Sequence, residues 1–176
     1  MSKLAKRKEP GSGLGMAGFY RVNIVDPDGR VAGDSGWKKN LIPLDGLMKY
    51  VVYRFVNSTG SYICPSYMNL GSLQSTLATN ATSLPGEMNK SLAASFGATA
   101  NITTGYPYSM TNRFTATFVS NSMMATTGNS TIGNIGLYAY TTANSIMCGG
   151  SFASSTLGSN QAINCTYDIV WTASAS

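Results

Sequence analysis

"AINCTYDIVWTA", residues 162–173, decides how this chain reads. Ile163, Cys165, Tyr167, Ile169 and Trp171 fall on one side of an extended segment, and Asn164, Thr166 and Asp168 on the other. Successive side chains of a strand point to opposite faces, so this period of two predicts a strand with one buried face. Just upstream, "SIMCGGSFASS" (145–155) is strand-like, and "TLGSN" (156–160) supplies a hairpin loop between the two. A turn near Leu157–Gly158 sets Cys148 opposite Cys165, both pointing inward. A cross-strand disulfide and two packed thiols both fit that register. Packed thiols are favoured, because antiparallel neighbours meet disulfide geometry only sometimes. Cys64 is the third cysteine and reads as core. Three cysteines cannot all pair within one chain, so reduced thiols in a cytosolic product are expected.

The same alternation recurs elsewhere. In "NRFTATFV" (112–119) Phe114, Ala116 and Phe118 oppose Thr115 and Thr117. In "NIGLYAYTT" (134–142) Ile135, Leu137 and Ala139 face inward, which leaves Tyr138 and Tyr140 on an exposed face. "FYRVNIVDPDGRVAG" (19–33) has the outline of a hairpin, with Pro27, Asp28 and Gly29 as its turn. Asp26 and Asp28 belong to that turn chemistry, since the later ligands of a calcium loop do not follow. "SYICPSYMNLGS" (61–72) reads as a strand ended by a glycine turn, and residues 73–101 as a long surface loop followed by an irregular strand.

One segment breaks the pattern: "SGWKKNLIPLDGLMKYVVYRFVNSTG" (35–60). Leu47, Met48, Val51, Val52 and Phe55 lie on one face of a helix of about three turns. Asp45 is placed to cap its start, and Asn57 or Gly60 to stop it. Such a helix needs an apolar surface to lie on and would close an open side of a β core. Residues 1–18 carry no periodicity and read as an extended, flexible arm, which leaves residues 19–176 as a single domain. The expected fold is mainly β: an antiparallel, jelly-roll-like β-sandwich with one short amphipathic helix and an N-terminal arm.

Composition narrows the function. The 176 residues contain no histidine and seven carboxylates. A Ser-His-Asp set is therefore impossible, and no cysteine–histidine metal cluster can form. "GSGLGMAG" (11–18) lacks the preceding strand and the Lys-Ser/Thr ending of a phosphate-binding loop, and reads as linker. No enzyme activity, cofactor or metal is expected. Charged residues make up 11% of the chain, against about 25% in ordinary domains. More than half of the net charge of +5 sits in the arm, where Lys3, Lys6, Arg7 and Lys8 face Glu9 alone. No apolar run approaches the roughly 18–20 residues of a membrane span, and no apolar signal core follows the basic start. A chain made in a cytoplasm and soluble until it assembles is expected.

The order of these features resembles small structural domains of tailed-bacteriophage virions, of the kind found in tail-fibre, neck and head-decoration proteins. The matching residues are Trp37, Asn40, Leu41, Ile42, Gly46 and Leu47 in "WKKNLIPLDGL"; Leu70 and Gly71, with Leu84 and Glu87 in the following loop; Phe114 and Phe118; and Ile132, Ile135, Gly136 and Leu137 in "TIGNIGLY". They span about residues 19–172. Asn134 stands where the family has an acidic residue, and the basic residue after the loop glutamate is displaced to Lys90. The resemblance brings no catalytic residues with it.

It implies a non-enzymatic virion component, assembled in the host cytoplasm. Such a chain would associate with itself and with other head, neck or tail proteins through an arm that orders on docking, and removal of residues 1–18 would leave a folded domain. Two alternatives stay open. One is a host-surface glycan-binding module using Tyr106, Tyr108, Tyr138 and Tyr140, with Trp171 kept for the core. The other is a small coat protein whose basic arm faces a genome. Four cations give only weak counterion release, so nucleic acid is not an expected partner.

Overall fold

A computed structural model of the chain describes residues 13–52, 65–88, 92–101, 108–119, 130–139, 146–158 and 160–174. It is mainly β, with two antiparallel sheets packed as a sandwich. The strands are β1 (Gly13–Val25), β2 (Val31–Asp34), β3 (Lys38–Lys39), β4 (Tyr67–Gly71), β5 (Leu92–Ala93), β6 (Ser95–Asn101), β7 (Tyr108–Val119), β8 (Ser130–Tyr138), β9 (Ile146–Leu157) and β10 (Ala162–Ser174). The first sheet runs β2-β1-β10-β7-β6, with β3 also on β1; the second runs β5-β4-β8-β9.

The strand that opened the sequence reading lies at the centre of the first sheet, between β1 and β7. Its apolar side is buried as the alternation requires: Ile163, Cys165, Tyr167 and Ile169 are inside, and Trp171 packs against their cluster. Phe114, Ala116 and Phe118 of β7 join them, and so do Tyr20, Val22 and Ile24 of β1. Met68, Leu70, Ile132, Ile135, Leu137 and Cys148 come from the second sheet. Two contacts tie the sheets together. The Tyr20 hydroxyl donates to the Ser151 carbonyl at 2.5 Å. The Tyr20 ring lies so close to Gly150 that a Cβ there would come within 2.2 Å of it.

The hairpin expected between residues 145 and 173 does not form. β9 pairs with β8 in one sheet, whereas β10 pairs with β1 and β7 in the other, so the connection at Gly158 crosses the sandwich. A period of two fixes which side chains point inward but carries no information on the neighbouring strand. Cys148 and Cys165 accordingly face the core from opposite sheets, both buried and both free thiols. Cys64 lies outside the described residues.

Residues 13–18, read as part of the arm, belong to the sandwich. β1 begins at Gly13, inside the segment read as flexible linker, and runs against β10 from Gly13–Ser174 to Val25–Ala162. Ladder hydrogen bonds are made by the main chain, so a glycine-rich segment without periodicity still pairs when a long partner strand is available. The β1–β2 hairpin turns where Pro27, Asp28 and Gly29 predict, with the Gly29 N–H donating to the Asp26 carbonyl at 2.9 Å.

The helix differs in phase. Leu44–Leu47 form one α-helical turn (α1), which widens into a π-helical turn over Met48–Val52. The position before the helix is Pro43, and no side chain caps it, so Asp45 sits inside the first turn instead of capping it. The buried positions are Pro43, Gly46 and Tyr50; Leu47 and Met48, read as core-facing, are exposed. Gly46 sets this phase. A Cβ there would lie 2.1 Å from the Met147 carbonyl oxygen, so only glycine lets the helix backbone rest directly on β9. Tyr50 then reaches inward, its hydroxyl accepting the Ala139 N–H at 2.8 Å. Phe55, Asn57 and Gly60 lie outside the described residues.

Candidate interaction surfaces

Of the residues singled out for contact, the structure describes two, Tyr108 and Tyr138. Lys3, Lys6, Arg7, Lys8, Tyr106 and Tyr140 lie outside the described residues. Tyr108 opens β7, opposite Ala173. Tyr138 overturns the exposed-face reading: it is fully buried. Alternation does put it on the outer side of its sheet, but residues 72–88 fold back over that side. Leu77 and Leu84 pack on Tyr138 together with Ile146, forming a second, smaller core. The Leu84 N–H donates to the Tyr138 hydroxyl at 2.9 Å. Burial, and then the nearby Glu87 carboxylate, push the Tyr138 phenol far above its ordinary value.

Polar groups hold this covering loop closed. The Asn134 side-chain amide donates to the carbonyls of Leu73 and of Pro85, near the two ends of the loop. Asn69 donates to Glu87. The Ser72 N–H reaches the Gly86 carbonyl at 2.9 Å, and the Met88 N–H reaches the Leu70 carbonyl at 2.9 Å. Glu87 and Asn134, both noted in the family-like pattern, thus serve the loop, and Glu87 takes an asparagine as its partner. The loop also meets its neighbours, with the Thr79 carbonyl accepting from Leu44 N–H at 2.8 Å and the Thr82 carbonyl from Ile146 N–H at 3.2 Å.

The first sheet has an open outer face. Main-chain pairing places Lys39, Phe19, Asp168, Arg113 and Gly97 in one row across it, and Arg21, Thr166, Thr115 and Ser95 in the next. Arg113 grips Asp168 through two bonds, Nε to Oδ1 at 2.8 Å and Nη2 to Oδ2 at 2.7 Å. Asp168 is 8% exposed, whereas more than half of the Arg113 side chain faces solvent. The guanidinium carbon lies 5.8 Å from the centre of the Trp37 ring, within cation–π range. Hydrogen bonding to Asp168, and then its charge, hold Arg113 above the usual arginine value. A similar pair joins Arg21 to Asp34 at the sheet edge. Its hydrogen bond, with one from the Gly36 N–H, lowers the Asp34 carboxyl below the ordinary range.

Two hollows flank the β6 side of the first sheet, one on each face. On the outer face is a groove of about 570 Å³ over β6 and β7, bounded by Ser95, Gly97, Thr111 and Thr115, with the Arg113–Asp168 pair along its side. The other is an apolar cleft of about 340 Å³ between the sheets, bounded by Tyr50, Phe114, Met147 and Ile169. Phe96 borders both and is 61% exposed on the edge strand β6. The sequence reading kept Asp168 on the polar side of its strand. It missed Trp37, Gly97 and Arg113 as surface groups, because the signal that joins them is register between strands distant in sequence.

The two thiols are poor nucleophiles. Burial pushes Cys148 up to about 12 despite hydrogen bonds with Tyr167 and Asn40, and pushes Cys165 up as well. Asn40 also donates to the Tyr167 hydroxyl at 3.3 Å. Among the described residues, no helix is long and apolar enough to cross a membrane. Comparison with protein-family models, with curated proteins and with solved structures gives no match.

Proposed function

We propose that this chain is a non-enzymatic virion structural protein of a tailed bacteriophage. It assembles with itself and with other head, neck or tail proteins in the host cytoplasm, and its basic N-terminal segment docks on neighbouring subunits. What supports the reading is where the family-like residues meet. Asn40 bonds Tyr167, Leu41 and Gly149 exchange two main-chain hydrogen bonds at 2.9 and 3.0 Å, and Gly46 rests on Met147. In the second block, Gly71 bridges Glu87 while Leu84 packs on Tyr138. Residues that recur in that order are the ones that hold this sandwich together, as a structural family without a catalytic centre requires.

The test is native mass spectrometry and virion incorporation of two truncations. Deleting residues 1–12 is expected to leave thermal stability unchanged and to weaken assembly. Deleting residues 1–18 also removes the β1 pairing from Gly13 to Gly18 against β10 and is expected to lower stability. Incorporation of the shorter truncation at the level of the full chain counts against the docking role.

A further inference from the structure

The groove over β6 and β7 has a feature that the sandwich itself does not need. Gly97 lies inside β6, opposite Arg113, with ordinary extended backbone. A Cβ built there meets nothing within 4 Å, so neither conformation nor packing calls for glycine. Glycine in a strand interior weakens the strand and often marks a place where a ligand approaches the backbone closely. The groups around this bare strip are chemically matched. Ser95, Thr111 and Thr115 offer hydroxyls, and Arg113 stands between the two threonines, across from Gly97. Asp168 takes Nε and Nη2 of Arg113, and Nη1 has no partner among the described residues. The guanidinium is held from two sides, by Asp168 and by Trp37, so its remaining N–H groups have a fixed direction. Among the described residues, the carboxylate at the groove, Asp168, is already neutralised by that arginine. Among the described residues of the outer face three cations, Arg21, Lys39 and Arg113, stand against two carboxylates, Asp34 and Asp168.

We propose that this groove binds an acidic saccharide. The sugar carboxylate takes the free N–H groups of Arg113, the sugar hydroxyls meet Ser95, Thr111 and Thr115, and the ring passes over Gly97. Hydroxyl acceptors and donors, a bare strip of backbone and one fixed guanidinium together recognise a polyhydroxylated ring carrying a carboxylate. The volume suits one or two sugar units, being inside the range of about 300–1,000 Å³ usual for small-ligand sites. Trp37 and Asp168 are positioning residues, acting through Arg113. This inference stands apart from the virion role and does not use it.

The experiment is calorimetric titration of the full chain with N-acetylneuraminic acid and with digalacturonic acid. Lactose serves as the neutral control and sodium acetate as the bare carboxylate. Binding of at least one acidic sugar is expected, at least tenfold tighter than lactose or acetate and weakened by salt. Gly97→Phe fills the groove without a backbone clash and should abolish binding while the melting temperature holds. Arg113→Lys keeps the charge, loses the fixed fork, and should weaken binding at least tenfold. If Arg113→Lys fails to fold, Gly97→Phe alone decides. Absence of acidic-sugar binding, equal binding of lactose or acetate, or unchanged affinity in Gly97→Phe overturns the proposal.

Discussion

The outer faces of the two sheets begin from the same sequence pattern and end differently. On the first sheet, the residues alternating with the core are Thr115, Thr117, Asn164, Thr166 and Asp168, and that side stays open except where Arg113 covers Asp168. On the second, the residue alternating with Leu137 and Ala139 is Tyr138, and that side is covered by residues 72–88. Alternation separates two faces; it does not say which of them meets water. The chemistry of the alternating residue is the better guide. Threonine and asparagine tolerate solvent, whereas a large aromatic invites a covering layer, and a polar clamp such as Asn134 then holds that layer down.

The difference predicts a large contrast in stability. Tyr138→Ala removes a fully buried ring from beneath the loop and is expected to cost about 3–5 kcal/mol, read by urea unfolding. Thr115→Ala on the open face should change stability by about 0.5 kcal/mol or less. Equal effects at the two sites would erase the distinction between covered and open faces.

Alkali should reach the inside of the molecule. An unfolded thiol loses its proton near its ordinary value of 9.0, whereas burial holds Cys148 up to about 12. Burial also lifts the Tyr20 phenol from 10.0 to about 12. A group whose folded value is raised lends its full stability below the unfolded value and loses it as pH climbs to the folded one. The melting temperature is therefore expected to fall progressively from pH 9 towards pH 12. Cys148→Ala should blunt the first part of that fall; an unchanged pH profile would argue against a dry, packed thiol.

A smaller effect isolates one hydrogen bond of the cover. Tyr138→Phe leaves the Leu84 N–H buried without its acceptor, which costs about 1–3 kcal/mol. Hydrogen exchange at Leu84 should speed up, while amides of β7 and β10 change less. Uniform loss of protection would mean that the loop and the sandwich open as one unit. The smallest effect belongs to the open face in acid. Asp34 has a lowered carboxyl value, so its contribution is present above the ordinary value of 3.8 and is lost as pH falls below it. The pair is exposed, and surface ion pairs contribute little, so Asp34→Asn should shift the acid limb of the melting curve only slightly.

Much of the candidate groove was hidden in the sequence. Thr115 and Asp168 were legible as outward residues. Arg113, Gly97 and Trp37 come together only because β7 pairs with β6 and with β10 while the β2–β3 connection lies over the same face. The loop at 73–88 was legible as a surface crossing, but not as the roof over Tyr138. The Gly46 contact with Met147 was likewise invisible, and with it the true phase of the short helix.

By itself the sequence determined the β class, the inward faces of β7 and β10, the turn at Pro27–Gly29 and the presence of a helical interruption near residue 45. These follow from local periodicity and turn chemistry, which act over a few residues. Only the tertiary structure decided that β9 and β10 belong to different sheets, that residues 13–18 are strand, and that Tyr138 lies under a roof. Strand partnership and burial are settled between residues far apart in the chain, where main-chain hydrogen bonding is indifferent to side-chain pattern and the apolar surface left over selects what covers it.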